Sequence, residues 1–159
     1  MSREADTLAG LLPSMTQLST TLSRGQLFEW ATTEAGVTLE RPAVTVLLVL
    51  DTAGEPLRVG EIATRMQVAG PHVTRLLHGL EQRGLVTRVP DQDDQRVRLI
   101  TLTAEGDQLI GGYLRVINGW FTAALAAWSE PDRRDLVRLL GRLVADLSEY
   151  LDTVVGGEH

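Results

Sequence analysis

The chain has 159 residues, of which 43% are hydrophobic and 23% charged, with a formal net charge of −6 and no cysteine. This suits one soluble domain able to bury a core without a metal or disulfide staple. The missing cysteine excludes disulfides, thiolate nucleophiles, Cys-type zinc sites and thiol redox sensing. No apolar run is long enough for a membrane span, and no basic region precedes the first apolar patch, so no membrane partner or secretion signal is expected and the cytoplasm is the expected compartment.

Leu8, Leu11, Met15, Leu18 and Leu22 step by three and four, which predicts a helix over 7–35 ended by Gly36. Pro13 either sits in its first turn or kinks it. A second helix is expected from about Pro42 to Asp51. Its body, AVTVLLVL, is apolar all round and β-branched, which also suits a buried strand. The elements after it favour a buried helix. These are two short helices, Val59–Met66 and Gly70–Arg83, separated by Gln67 to Ala69, an arrangement that reads as a helix-turn-helix.

Gly84 stops the second of these helices. Residues 85–89 and 97–103 alternate at period two around the polar stretch PDQDDQR (90–96), so two strands joined by a polar tip follow directly. That order of elements makes a winged helix. The last third is helical. One helix is expected over 104–128, with Leu109, Tyr113, Val116 and Trp120 on a stripe. Ser129 and Asp132 then form a capping box, with Pro131 in the first turn. In the final helix Leu136, Leu140, Leu143, Leu147, Tyr150 and Val154 form a coiled-coil-like seam. The expected fold class is mainly α in the α+β sense: a winged helix-turn-helix with a two-stranded wing and helices at both ends.

The charge is unevenly spread. Residues 58–98 carry seven arginines against five acids, and the rest of the chain carries eight against sixteen. A weakly basic segment therefore sits in an acidic chain. Every basic residue is arginine, which we read as codon bias, although the planar guanidinium is well suited to phosphates and base edges.

The stretches RVGEIATRMQVAGPHVTRLLHGLEQRGLVTR (58–88) and DQDDQRVRLITLTAEG (91–106) resemble the MarR family, and the likeness extends roughly from Leu8 to Val154. The wing matches through Asp94, Arg96, Leu102, Thr103 and Gly106. Two places depart from the pattern: Glu40 stands where a Thr cap is usual, and the recognition helix opens Ala69-Gly70-Pro71-His72 rather than with polar donors. The resemblance implies one unit over 1–159 that works as a homodimeric transcription factor, most often a repressor. Its winged region (42–103) would bind a palindromic site on double-stranded DNA. Helices 7–35 and 104–155 would form the dimer interface, and a small effector is a further expected partner.

Arg96, at the tip of the β-ribbon, is the expected minor-groove probe, with Asp94 holding its guanidinium. The plain alternative is an exposed pair worth little. Gly70, Pro71, His72, Thr74 and Arg75 open the recognition helix. There Arg75 and Thr74 are placed for base or phosphate contact, Gly70 for close backbone approach, and either a solvated face or packing is the alternative. Arg65, Arg88 and Arg98 are candidate phosphate clamps or ordinary surface charge. The resemblance implies a cleft for small aromatic or lipophilic ligands, to which Phe28, Trp30 and Trp120 are candidate contributors, with core or seam packing as the alternative. The expected dimer contacts are Leu11, Met15, Leu18, Leu136, Leu140, Leu143, Leu147 and Tyr150. No cofactor, structural metal or catalytic motif is expected. An interaction module that has lost DNA binding is the rival reading, favoured by the net charge and the apolar opening of the recognition helix.

Overall fold

The computed structural model describes residues 9–23 and 25–156. The chain divides into two compact units, Met1–Ile117 and Asn118–His159. The cause is where the core lies: among the described residues, no buried side chain falls beyond Tyr113.

In the first unit, α1 (Leu11–Ser23) and α2 (Gln26–Glu34) replace the single helix expected over 7–35. Gly25 breaks it with φ of 76°, in the left-handed region where side chains are disfavoured. Leu8 lies outside the described residues. Pro13 takes the third position of α1, where its missing N–H breaks no helical hydrogen bond. Helix α3 (Arg41–Ala53) has Pro42 in its first turn and buries Ala43, Val44, Val46, Leu47 and Leu50. That three-and-four spacing settles the helix-or-strand ambiguity of AVTVLLVL.

Helices α4 (Val59–Met66) and α5 (Gly70–Gln82) form the helix-turn-helix. Ile62 and Ala63 of α4, with Val73, Leu77 and Leu80 of α5, point into the core. The turn between them needs a left-handed residue, and Gln67 supplies it with φ of 55°. Strands β1 (Val86–Pro90) and β2 (Arg98–Leu102) pair antiparallel, with Val86 opposite Leu102 and Pro90 opposite Arg98. Leu57 adds a bridge that the sequence did not suggest. It exchanges two main-chain hydrogen bonds with Ile100, at 2.9 and 2.8 Å, and both side chains are buried. This bridge stitches the wing onto the helical core.

Helix α6 (Ala104–Ala124) ends four residues short of the expected Trp128. The Thr103 hydroxyl accepts from the Gly106 N–H at 3.1 Å and donates to the Gly84 carbonyl, while the Thr103 N–H donates to the Leu85 carbonyl at 3.1 Å. A Cβ on Gly106 would collide with that Leu85 carbonyl oxygen. The Leu-Thr-x-x-Gly pattern is therefore a tight crossing between the end of the recognition helix and the start of α6.

The second unit holds the end of α6 and α7 (Glu130–Gly156). Ser129 caps α7, accepting the Asp132 N–H at 3.2 Å and donating to the Asp132 carboxylate. No residue of α7 through Val154 is buried. Among the described residues, no helix is long and apolar enough to cross a membrane.

Candidate nucleic-acid interface

The buried stripe of α5 fixes which side chains face outward. Pro71, Thr74, Arg75, His78 and Gln82 are exposed, and His72 and Gly70 are half-buried at the start of the helix. Arg75 makes no ion pair among the described residues. The Thr74 hydroxyl donates back to the Gly70 carbonyl at 3.1 Å, leaving its lone pairs outward. Nothing lies within 4 Å of where a Gly70 Cβ would stand, so crowding within the chain does not require glycine there. His78 and Gln82 are hydrogen-bonded side chain to side chain at 3.0 Å, one turn apart.

The wing tip is built by its acids. Asp91 accepts the Asp93 N–H at 2.9 Å, and Asp94 accepts the Arg96 N–H at 3.0 Å. Asp94 thus holds the main chain of Arg96, not its guanidinium as expected: two residues apart in a tight turn, the carboxylate reaches the nearby N–H first. The Arg96 guanidinium has no carboxylate partner among the described residues.

Arg58, at the start of α4, reaches across to the wing and pairs with Asp91 at 2.9 Å. Hydrogen bonding from the Asp93 N–H and then from Arg58 holds the Asp91 carboxyl below the usual carboxylate range. The Glu61 carboxylate also accepts the Arg58 N–H at 2.7 Å. Sequence reasoning missed this tie, because 33 residues separate Arg58 from Asp91 and no local pattern joins them.

The candidate phosphate clamps differ in their surroundings. Arg88 forks onto Glu81 at 2.7 and 3.2 Å, and this hydrogen bonding raises its pKa further. Arg98 donates to the Gln95 carbonyl at 2.7 Å. Arg65, in the last turn of α4, is exposed with no ion pair among the described residues. Among the described residues of α4, α5 and the wing, Arg65, Arg75 and Arg96 have neither a carboxylate partner nor a side-chain hydrogen bond, whereas Arg83 and Arg98 donate to neutral oxygens.

Of the aromatic candidates, Phe28 and Trp30 lie in the first unit and Trp120 in the second. Phe28 helps line a cavity of about 190 Å³ with Leu22, Leu27, Arg41, Val44 and Tyr113. The Arg41 guanidinium lies 4.9 Å from the Phe28 ring centroid, and Tyr113 is tilted against Phe28 at 6.3 Å. Burial pushes the Tyr113 phenol up, and the Arg41 charge opposes it. Trp30 is exposed and does not line this cavity. Trp120 belongs to the second unit, where it meets Phe121 edge-on at 5.0 Å. Leu11, Met15 and Leu18 on α1, and Leu136, Leu140, Leu147 and Tyr150 on α7, are exposed, and Leu143 is half-buried.

The MarR family model matches residues 36–97, from the α2–α3 turn to the end of the wing tip. The chain is 30% identical over 107 residues to the HTH-type transcriptional repressor YetL of Bacillus subtilis, a match spanning 67% of this chain and 64% of YetL. It thus covers slightly less than two thirds of that relative's length. A MarR family protein from Bacillus stearothermophilus shares the fold with a TM-score of 0.71 at 24% identity, over 93% of this chain and 98% of that one. MepR from Staphylococcus aureus is similar both as a variant bound to an oligodeoxyribonucleotide, with TM-score 0.57, 22% identity and coverage of 84% and 97%, and bound to ethidium bromide, with 0.58, 22%, 79% and 96%. By the motifs of the helix-turn-helix and wing and the matching family model, residues 36–97 are a MarR-family region, and the chain around them shares the fold of a MarR family protein.

Proposed function

We propose that this protein is a homodimeric DNA-binding transcription regulator, a repressor released by a small apolar or aromatic ligand. The observation that carries DNA binding is that α5 and the wing each present an exposed arginine with no carboxylate partner and no side-chain hydrogen bond among the described residues, Arg75 and Arg96, with Arg65 a third on α4. Arg75, with Thr74 and His72, reads base edges or phosphates in the major groove, where α5 enters N-terminus first. Arg96 enters the neighbouring minor groove, whose negative potential favours arginine. Arg98 and Arg88 serve as phosphate clamps, Arg88 by exchanging Glu81 for a phosphate. The MepR complex with an oligodeoxyribonucleotide and the repressor name of YetL support the reading.

Dimerisation is supported by α7. Val137 is 73% and Tyr150 67% exposed, and Leu136, Leu139, Leu140 and Leu147 are exposed alongside them. An apolar surface of that extent on a charged helix suits a second copy of the chain. Ligand release is supported by the Phe28–Arg41 cavity, whose aromatic wall and single cation suit a small planar acid; MepR, a structural neighbour, is bound to ethidium bromide.

The test is selection of duplexes from a random pool by the full-length protein, followed by gel shift across a salt series. A selected duplex should bind with affinity falling steeply with salt, at a log–log slope of about −0.9 per neutralised phosphate. Arg96→Ala should weaken that binding while the melting temperature stays unchanged. If no duplex is enriched, DNA binding is wrong and the interaction-module reading takes its place.

A further inference from the structure

We infer that Arg83 is a positioning residue for DNA binding: by gripping Thr38 it fixes the angle at which α5 presents its exposed face. This rests on the DNA-binding reading above. Arg83 is the C-cap of α5, and its guanidinium forks onto one residue 45 positions away. It donates to the Thr38 carbonyl at 2.9 Å and to the Thr38 hydroxyl at 2.8 Å. Thr38 lies between α2 and α3, beside buried Val37, whose N–H bonds the Thr32 carbonyl at 2.8 Å. The fork therefore ends on an exposed loop residue whose neighbour, Val37, is anchored in the core.

The opposite end of α5 is held differently. Its N-cap, Ala69, offers no side-chain hydrogen bond, and the turn before it is short. Buried Val73, Leu77 and Leu80 seat the helix on the core along its length, and side-chain hydrogen bonds to other elements are made at its C-terminal end. There the Leu85 N–H closes onto the Leu80 carbonyl at 3.0 Å, and Thr103 binds Gly84 and Leu85. These bonds fix where the helix stops. The Arg83 fork adds a lateral constraint, because two acceptors on one residue define a plane that a single bond does not. A 13-residue helix is a rod of about 20 Å, so a slip of about 1 Å at one end tilts it by about 3° and moves Arg75 relative to the groove. Selective base contacts depend on such geometry, whereas nonspecific attraction to phosphates depends mainly on charge.

The alternative role for Arg83 is that of another phosphate clamp, and two variants separate the two. Thr38→Val keeps the guanidinium and removes one acceptor. Arg83→Lys keeps the charge but does not span both acceptors. The probes are a duplex selected by the wild-type protein and a scrambled duplex of equal length, measured across salt. Positioning predicts that Arg83→Ala weakens the selected duplex about tenfold, with Arg83→Lys and Thr38→Val about threefold each. The scrambled duplex should change less than about twofold and the salt slope should stay the same. Circular dichroism melting confirms that each variant folds. The inference is overturned if Arg83→Ala binds the selected duplex as wild type does. It is equally overturned if Arg83→Ala weakens both duplexes alike with a shallower salt slope while Thr38→Val is silent. If the wild-type protein enriches no duplex, the DNA-binding reading itself fails and this inference goes with it.

Discussion

Asp91 illustrates how much a single side chain organises in this fold. Its carboxylate accepts the Asp93 N–H and pairs with Arg58, tying the wing tip to the start of α4. Because these bonds lower its pKa in the folded state, their stabilisation is fully present above the unfolded carboxylate value and is lost as pH falls through the folded one. The protection of the Asp93 and Val97 amides, taken as the ratio of intrinsic to observed exchange rate, should therefore fall selectively in acid, at pH below about 4. Asp91→Asn should show fast exchange already at neutral pH; a wing tip whose exchange ignores both changes is held by something else. Gly106 makes the opposite kind of contribution, through the absence of a side chain. Gly106→Ala would push a methyl group into the Leu85 carbonyl, and it should cost about 1–3 kcal/mol or more, read as a lowered melting temperature.

Among the elements, α7 stands apart because periodicity gives its seam but not its partner. Leu136, Leu140, Leu143, Leu147 and Tyr150 recur at heptad spacing, yet within one chain none is buried. Burying a leucine is worth roughly 1.5–3 kcal/mol, so several exposed together favour assembly strongly. Light scattering at micromolar concentration should give about twice the 17.4 kDa chain mass, and Leu143→Asp should return it to the single-chain mass by placing a charge in the interface. A wild-type protein that runs as a monomer ends the dimer reading. α1 shows the limit of the same pattern. Its stripe is real, but the helix expected over 7–35 breaks at Gly25, because a residue at φ of 76° does not continue a right-handed helix.

For the molecule as a whole, the proposed control requires the Phe28–Arg41 cavity and the DNA surface to be coupled. Coupling is reciprocal, so a ligand that weakens DNA binding must itself be weakened by DNA by the same factor, typically 5–150-fold. Titrating planar aromatic acids while following intrinsic tryptophan fluorescence, then repeating with saturating selected duplex, measures both directions. Arg41→Ala should abolish the response to acids without lowering DNA affinity in their absence. A ligand that quenches yet leaves DNA affinity untouched binds both states equally and regulates nothing.

The order of elements was legible from the chain alone, because helix and strand periods, prolines in first turns and glycines at helix ends are written locally. That is why α4, α5 and the two strands fall within a residue or so of their expected places. The close crossing at Gly106 was visible as a motif but not as a collision. What the tertiary structure decided is pairing at long range: Leu57 with Ile100, Arg58 with Asp91, Arg83 with Thr38, and Arg41 over Phe28. It also took Arg88 into a pair with Glu81 and turned Asp94 from the Arg96 side chain to its main chain. For the long-range charged pairs the physical reason is the same: a charged side chain takes the best partner within reach, and what is within reach is set by the packed core rather than by distance along the chain.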